Sequence, residues 1–124
     1  MRYHALIRTH HITSRKKVAA LKRAADTHDC SVLLRSGGCP GIMYVEAHEK
    51  SRVEAWVGEV RRLRYKDFQL ATKPNEITRE GETTPDNQNG GRGGLSEVES
   101  VKEFGGYMAQ RGVWNWWRRG MGYT

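Results

Sequence analysis

The stretch SVLLRSGGCPGIMYVE, residues 31–46, decides the fold of this chain. Two short apolar runs, Ser31–Arg35 and Ile42–Glu46, flank a segment rich in glycine that also holds a proline, Ser36–Gly41. This arrangement predicts a β-hairpin. Upstream, the apolar run Tyr3–Thr9 predicts a first strand, and downstream Asp67–Ala71 predicts a closing strand.

Two segments between these strands have the spacing of amphipathic helices. Val18, Leu21 and Ala25 recur at helical spacing within Arg15–Thr27, and a second apolar stripe runs from Val53 to Leu63. The order β-α-β-β-α-β within about 70 residues predicts an α+β, ferredoxin-like sandwich, with an antiparallel sheet and both helices on one face. This plan leaves the other face of the sheet open.

The composition changes after residue 71, so we expect a ferredoxin-like domain over residues 1–71. Residues 72–97 are rich in Thr, Pro, Asn, Glu and Gly, which predicts a disordered linker or a long loop. From residue 98 an apolar helical stripe leads into a tryptophan cluster: Trp114, Trp116 and Trp117. We expect this C-terminal helical segment, residues 98–124, to pack on the domain or a second copy, or to bind a partner protein through the tryptophans.

The excess of basic residues lies in the N-terminal part of the chain. The sequence holds 21 Lys and Arg against 14 Asp and Glu. Residues 1–71 contain 14 basic and 7 acidic side chains, whereas residues 72–97 contain 3 and 5. This distribution indicates a polyanionic partner for the N-terminal part, although proteins that bind no nucleic acid also reach such a balance.

No targeting or membrane signal is evident in the sequence. No apolar run approaches the roughly 18–20 residues of a membrane span, and the first residues already have the pattern of a strand. Cys30 and Cys39 flank a predicted strand and lie too far apart to bridge, so we expect two reduced thiols. The chain is therefore predicted to be nuclear or cytoplasmic, not secreted, with no membrane partner, and a monomer or weak dimer.

The junction of the first strand and the first helix carries the candidate site. Thr13 or Ser14 can cap the helix, while Arg15, Lys16 and Lys17 crowd its first turn, where cations oppose the helix dipole. This unfavourable arrangement indicates an anion at the junction, and the alternative is a solvated basic turn. The predicted phosphate contacts for RNA are His10, His11, Ser14, Arg15, Lys16 and Lys17.

The predicted strands add three candidates for RNA contact. Tyr44 can offer a stacking face to a base, worth about 1–3 kcal/mol in comparable sites. Arg8 and Arg35 add positive charge at the same sheet. The alternative for Tyr44 is a half-buried strand residue, because the alternation does not decide its face. For the two adjacent histidines the alternative is a structural role at the strand end.

Catalytic, metal and cofactor sites are not predicted. His11-Ile12-Thr13 matches one H-x-T element of two-histidine phosphoesterases, but those enzymes need two facing elements, and no other histidine is followed by threonine at the second position. Neither cysteine belongs to a C-x-x-C pair, and the five histidines lack the spacing of metal ligands. We therefore expect a non-enzymatic protein without metal or cofactor.

These residues resemble a known family. His10-His11-Ile12-x-Ser14 followed by Lys16 and Lys17, and then CPGIMYVE at 39–46, are similar to the pattern S-H-H-I-x-S-x-x-K-R … G-K-P-G-x-I-x-V-E-G. That pattern belongs to the C-terminal domain shared by RWD domain-containing protein two and the tri-snRNP splicing small nuclear ribonucleoprotein (processing factor three). The resemblance covers about residues 1–71 and 98–120 and implies a ferredoxin-like domain, here a stand-alone copy. In the splicing relative this domain binds small nuclear RNA, which implies mRNA splicing and the nucleus.

Two functions are therefore open. In the first, the protein is an RNA-binding module, as in an RNA-processing ribonucleoprotein, that holds phosphate at the junction of strand one and helix one. In the second, it is a protein–protein interaction module of a larger assembly, using the open sheet face or the tryptophan-rich tail.

Overall fold

The computed structural model describes residues 2–80 and 94–123, which form an α+β fold with one five-stranded sheet and four helices. None of the described helices is long and apolar enough to cross a bilayer. The elements in chain order are β1 (Tyr3–Thr9), α1 (Arg15–Thr27), β2 (Ser31–Arg35), β3 (Gly41–Ala47), α2 (Lys50–Arg62), β4 (Gln69–Glu76), β5 (Gly94–Val98), α3 (Val101–Gln110) and α4 (Trp114–Met121).

The strand order in the sheet is β4-β1-β3-β2-β5. The predicted hairpin of β2 and β3 is confirmed, and β3 also pairs antiparallel with β1, ending at the pair Thr9 and Gly41. β4 pairs antiparallel with β1. β5 lies parallel to β2 at the opposite edge, from the pair Ser31 and Gly94 to the pair Arg35 and Val98. The sheet is therefore mixed.

Alternate strand residues bury a first core against α1 and α2. Side chains of successive strand residues point to opposite faces, and Ala5 and Ile7 of β1 belong to this core. The Nε1–H of Trp56 on α2 donates to the carbonyl of Leu21 on α1 at 3.2 Å, which ties the two helices together. The apolar stripes that predicted these helices are buried here: Val18, Leu21, Ala25, Val53, Trp56, Val57 and Val60.

A second core lies on the opposite side of the strands, so the prediction of an open sheet face is wrong. α3 and α4 cover it, since Phe104, Met108 and Trp117 pack against the strands with Val113 and Met121. The physical reason is that this face is itself apolar and would otherwise be exposed to water. Its strand residues are Leu6, Leu33, Ile42 and Tyr44, and all are buried.

The predicted segment boundaries also need correction. Residues 72–76 continue β4, and 94–97 belong to β5, so both ends of the predicted linker 72–97 hydrogen-bond in the sheet, because strand pairing outweighs their polar composition. Its middle, residues 81–93, lies outside the described residues. The predicted single C-terminal helix is two helices, which part at Gly112, where φ is +76°. Ser100 and Glu103 form a capping box at the start of α3.

Gly120 lets α4 approach the sheet closely, which generates a prediction. A Cβ at this position would lie 2.7 Å from Leu6 Cδ2 and 2.8 Å from Thr72 Oγ1. Gly106 on α3 is exposed with nothing within 4 Å of such a Cβ, so it is the matched control. We expect Gly120→Val to lower the free energy of unfolding by about 1–3 kcal/mol and Gly106→Val to leave it nearly unchanged. Urea titration measures both, and equal effects would contradict this packing of α4.

Candidate functional site

Three loops meet at the end of the sheet where β1 ends and β3 begins. The backbone N–H of His10 donates to the carbonyl of Lys66 at 3.0 Å, and the N–H of Gly41 donates to the carbonyl of His10 at 3.2 Å. Residues 10–14, 36–40 and 63–68 therefore lie together, and we call them the loop cluster. α1 begins at its edge.

The structure shows how the crowded first turn of α1 is built. Ser14, not Thr13, is the N-cap, and its side chain accepts from the N–H of Lys17 at 3.2 Å. The Arg15 guanidinium forms a bidentate salt bridge with the carboxylate of Glu97 on β5, with N–O distances of 3.1 and 2.7 Å. The Lys17 ammonium lies 4.8 Å from the centre of the Tyr65 ring. Lys16 is exposed, and among the described residues no carboxylate pairs with it.

Glu97 neutralises the charge of Arg15, which leaves fewer free cations at the predicted phosphate site. The hydrogen bond from Arg15 lowers the pKa of Glu97, and a further bond from the Ser36 hydroxyl at 2.7 Å acts in the same direction. An open groove of about 790 Å³ adjoins this pair and contains Glu97 and Glu99 in its lining. This groove offers carboxylates rather than free cations, so it does not favour an anion.

Arg8, Arg35 and Tyr44 do not form an exposed basic and aromatic sheet face. Arg35 donates from Nε to the carbonyl of Glu99 at 2.9 Å and from a terminal nitrogen to that of Pro40 at 3.0 Å. Arg8 is half-buried. Tyr44 is fully buried beneath α3 and α4, so the prediction that it stacks on a base is wrong.

The three tryptophans of the tail have different environments. Trp117 is buried and stacks with Phe104 at 5.9 Å between ring centres, so it cannot contact a partner directly and that prediction is wrong. Trp116 is half-buried and stacks on His4 at 3.8 Å. Trp114 remains 38% exposed, with the Arg118 guanidinium 4.8 Å from its ring centre. Only Trp114 retains substantial exposed surface for a partner.

A buried carboxylate under the C-terminal helices was missed by the sequence analysis. Glu46 on β3 is 2% exposed and pairs with the guanidinium groups of Arg2, Arg79 (3.3 Å) and Arg111 (3.0 Å). Burial raises the pKa of Glu46, but Arg111, Arg2 and Arg79 outweigh it and hold that pKa below its ordinary value. Glu46 therefore stays ionised inside the protein. A charged residue in an apolar central strand was the one available sequence signal.

His4 and Tyr44 extend this ion cluster. The Tyr44 hydroxyl donates to Glu46 at 2.9 Å, and His4 Nδ1 lies 3.1 Å from the same hydroxyl oxygen, which can accept from a neutral imidazole. Burial lowers the pKa of His4 to about 4 and, together with the neighbouring Glu46, raises that of Tyr44 well above its ordinary value. Because these groups fix the positions of α3 and α4 on the sheet, the cluster has a structural role.

The loop cluster also brings together three side chains of types that can ligate metals, which spacing along the sequence did not reveal. The donor atoms of His10, His11 and Cys39 all lie within 4.8 Å of one another. His10 Nδ1 is 3.7 Å from Cys39 Sγ and also 3.7 Å from a carboxylate oxygen of Asp67. A Cys–His–Asp catalytic relay needs the thiol and the carboxylate on opposite ring nitrogens. Here both face Nδ1, so this arrangement does not correspond to such a relay.

Removing the charge of Glu46 tests the structural role of the ion cluster. In Glu46→Gln, three guanidinium groups lose their buried anion, and we expect the free energy of unfolding to fall by about 3 kcal/mol. Glu59, whose pair with Arg62 is on the surface, is the matched control, and Glu59→Gln should cost less than about 1 kcal/mol. Urea unfolding at neutral pH measures both, and an equally small effect of the two changes would contradict the role.

The buried imidazole of His4 predicts a pH dependence of stability. Since its pKa is about 4 in the folded protein and 6.5 in a model peptide, the unfolded chain binds the proton more readily. Stability should therefore be greatest above pH 6.5 and fall by about 2–3 kcal/mol as the pH drops from 6.5 to 4.5. Glu46, with its lowered pKa, contributes only below that window.

His4→Gln isolates this contribution, because the other four histidines are unchanged. We expect the variant to lose less free energy of unfolding than the unsubstituted protein between pH 6.5 and 4.5, by urea titration at each pH. Identical pH profiles of the two proteins would show that His4 does not carry the effect.

Comparison with known proteins does not assign the chain to a family. No protein-family model matches the chain, and no curated protein matches it at a significant level.

Proposed function

We propose that this protein is a non-enzymatic RNA-binding module, as in an RNA-processing ribonucleoprotein, that holds phosphate along the exposed side of α1 and at the loop cluster. One observation carries the proposal: Lys16 and Arg23 on α1 and Lys66 in the loop cluster are exposed, and no carboxylate pairs with any of them in the described part of the chain. The exposed His11 and half-buried His10 belong to the same loop cluster as Lys66 and are further donors to phosphate.

The spacing of the cations on α1 suits a linear polyanion. Lys16 and Arg23 are seven residues apart, which places them on the same side of the helix about two turns from each other. The α1 side chains of Val18, Leu21 and Ala25 are buried instead. The cations thus form a row facing water, and a phosphate chain can follow it with little reorganisation of the protein.

The architecture supports a ferredoxin-like assignment for the first four strands with α1 and α2. Their order in the chain is β-α-β-β-α-β, the strands lie in the order β4-β1-β3-β2, and both helices contribute to one core. The resemblance to the C-terminal domain of the splicing relative favours RNA as the polyanion. With the second sheet face covered, RNA is expected to use the helix side and the loops rather than the sheet.

Charge reversal at the proposed surface tests this function. We expect Lys16→Glu, Arg23→Glu and Lys66→Glu together to lower affinity for a labelled single-stranded RNA at least tenfold and to flatten the salt dependence of binding. Fluorescence anisotropy at 50 and 200 mM salt, with and without EDTA, provides the measurement. An acidic residue at position 16 favours the helix dipole, so loss of binding would not reflect unfolding of α1.

The matched control changes the same total charge elsewhere. Lys50, Lys73 and Lys102 are exposed on α2, β4 and α3 and do not belong to the row on α1. Changing all three to Glu should alter affinity no more than about threefold. Absence of RNA binding by the unsubstituted protein at low salt, or an equal loss in the two triple variants, would overturn the proposal.

A protein–protein interaction module is the second candidate, and exposed aromatic residues favour it. Tyr107, Trp114 and Tyr123 are the three exposed large apolar side chains among the described residues, and all belong to the C-terminal region. The covered sheet face no longer supports this candidate. If the unsubstituted protein binds no RNA at low salt, this surface becomes the leading candidate for function.

A further inference from the structure

We infer that His10, His11 and Cys39 form a binding site for a thiophilic divalent metal ion, with Zn²⁺ as the best match. Imidazole nitrogen and thiolate sulfur are the donors that zinc prefers in proteins. The inference does not rest on RNA binding, since it follows from the arrangement of these three side chains alone, although His10 and His11 are also named above as donors to phosphate.

Strand register brings the three ligands together. β1 and β3 pair antiparallel, and their last pair is Thr9 with Gly41. His10 and His11 directly follow Thr9, and Cys39 lies two residues before Gly41, so the pairing brings the two loops side by side. Hydrogen bonds hold the backbone on both sides of His10, to Lys66 and from Gly41. The loops that carry the ligands are therefore anchored to the end of the sheet.

The distances fit a tetrahedral ion after small side-chain adjustments. With Zn–S near 2.3 Å and Zn–N near 2.0–2.1 Å, two ligands in a tetrahedral site lie roughly 3.5 Å apart. His10 Nδ1 and Cys39 Sγ are 3.7 Å apart, and the rings of His10 and His11 are nearly perpendicular, with centres 4.2 Å apart. All three donor atoms lie within 4.8 Å of one another. The largest separation that this allows, 4.8 Å, must close by about 1.3 Å to reach the tetrahedral value, which side-chain rotation can supply.

The surroundings supply a negative group and access for the ion. The Asp67 carboxylate lies 3.7 Å from His10 Nδ1, where it can take the fourth position or bind a water that does so. The nearby Lys16 and Lys66 oppose a cation, and a Cys39 thiolate together with Asp67 offsets them. His11 and Cys39 are exposed, so an ion reaches the site from solvent without any opening of the fold.

Cobalt substitution provides a direct test that does not depend on RNA. We expect Co²⁺ added to the purified protein to give a thiolate-to-cobalt charge-transfer band and the strong visible bands of tetrahedral cobalt, both removed by Zn²⁺. Competition with a chromogenic chelator should give a Zn²⁺ dissociation constant of about 10⁻⁶ M or lower. Cys39→Ser should abolish the charge-transfer band and weaken zinc binding at least tenfold, and His11→Gln should weaken it similarly.

Controls separate the site from other ligands in the chain. Cys30 is fully buried in the first core, so a band that persists in Cys39→Ser would arise from another thiol and would overturn the inference. His48→Gln removes an exposed histidine outside the loop cluster and should leave zinc affinity unchanged. Unfolding curves without metal should match for Cys39→Ser and the unsubstituted protein. A zinc dissociation constant above about 10⁻³ M would also overturn the inference, whatever the result with RNA.

Discussion

The buried carboxylate of Glu46 is the constraint on which the rest of the structure depends. Its cost of burial is offset only because guanidinium groups arrive from three distant parts of the chain: Arg2 before β1, Arg79 after β4, and Arg111 between α3 and α4. The three ion pairs, with Tyr44 and His4, hold the segments before β1, after β4 and between α3 and α4 against β3.

The position of α3 and α4 determines which surfaces of the protein stay exposed for binding a ligand. With α3 and α4 held over Leu6, Leu33, Ile42 and Tyr44, the sheet offers no face to a ligand. What remains is the exposed side of α1 and the loop cluster, on the far side of the sheet and at its end. The position of the proposed RNA surface is thus a consequence of an ion cluster that does not itself touch RNA.

Local sequence patterns predicted most elements of the fold, and nonlocal contacts account for what they missed. α1 was predicted with its observed bounds, and β2 likewise, because each shows a clear apolar period between polar or glycine-rich ends. β5 was missed because Gly94–Val98 has only two large apolar side chains, Leu95 at the first core and Val98 in the second, and becomes a strand only by pairing with β2, more than 60 residues away in the sequence. We expected residues 98–124 to pack on the domain, a second copy or a partner, but local sequence did not indicate which sheet face α3 and α4 cover, because that too depends on nonlocal contacts.

The candidate site likewise has features that local sequence predicts and features that depend on nonlocal contacts. Ser14 as helix cap and the exposed Lys16 follow from local sequence, so they could be predicted. The pairing of Arg15 with Glu97 could not, since the two residues are 82 positions apart. The meeting of His10 and His11 with Cys39 depends on the register of β1 and β3, and a shift of one residue would change which loop residues meet. Strand boundaries predicted from sequence are uncertain by more than one residue.

α3 and α4 follow all five strands in the chain, and this order has a consequence for synthesis on the ribosome. Chains are made from the N-terminus at about 5–20 residues per second, and the early part folds first. Until α3 and α4 emerge, the nascent sheet presents one uncovered apolar side, and Glu46 lacks Arg111. A chain truncated near residue 100 would therefore expose this apolar face, which favours aggregation.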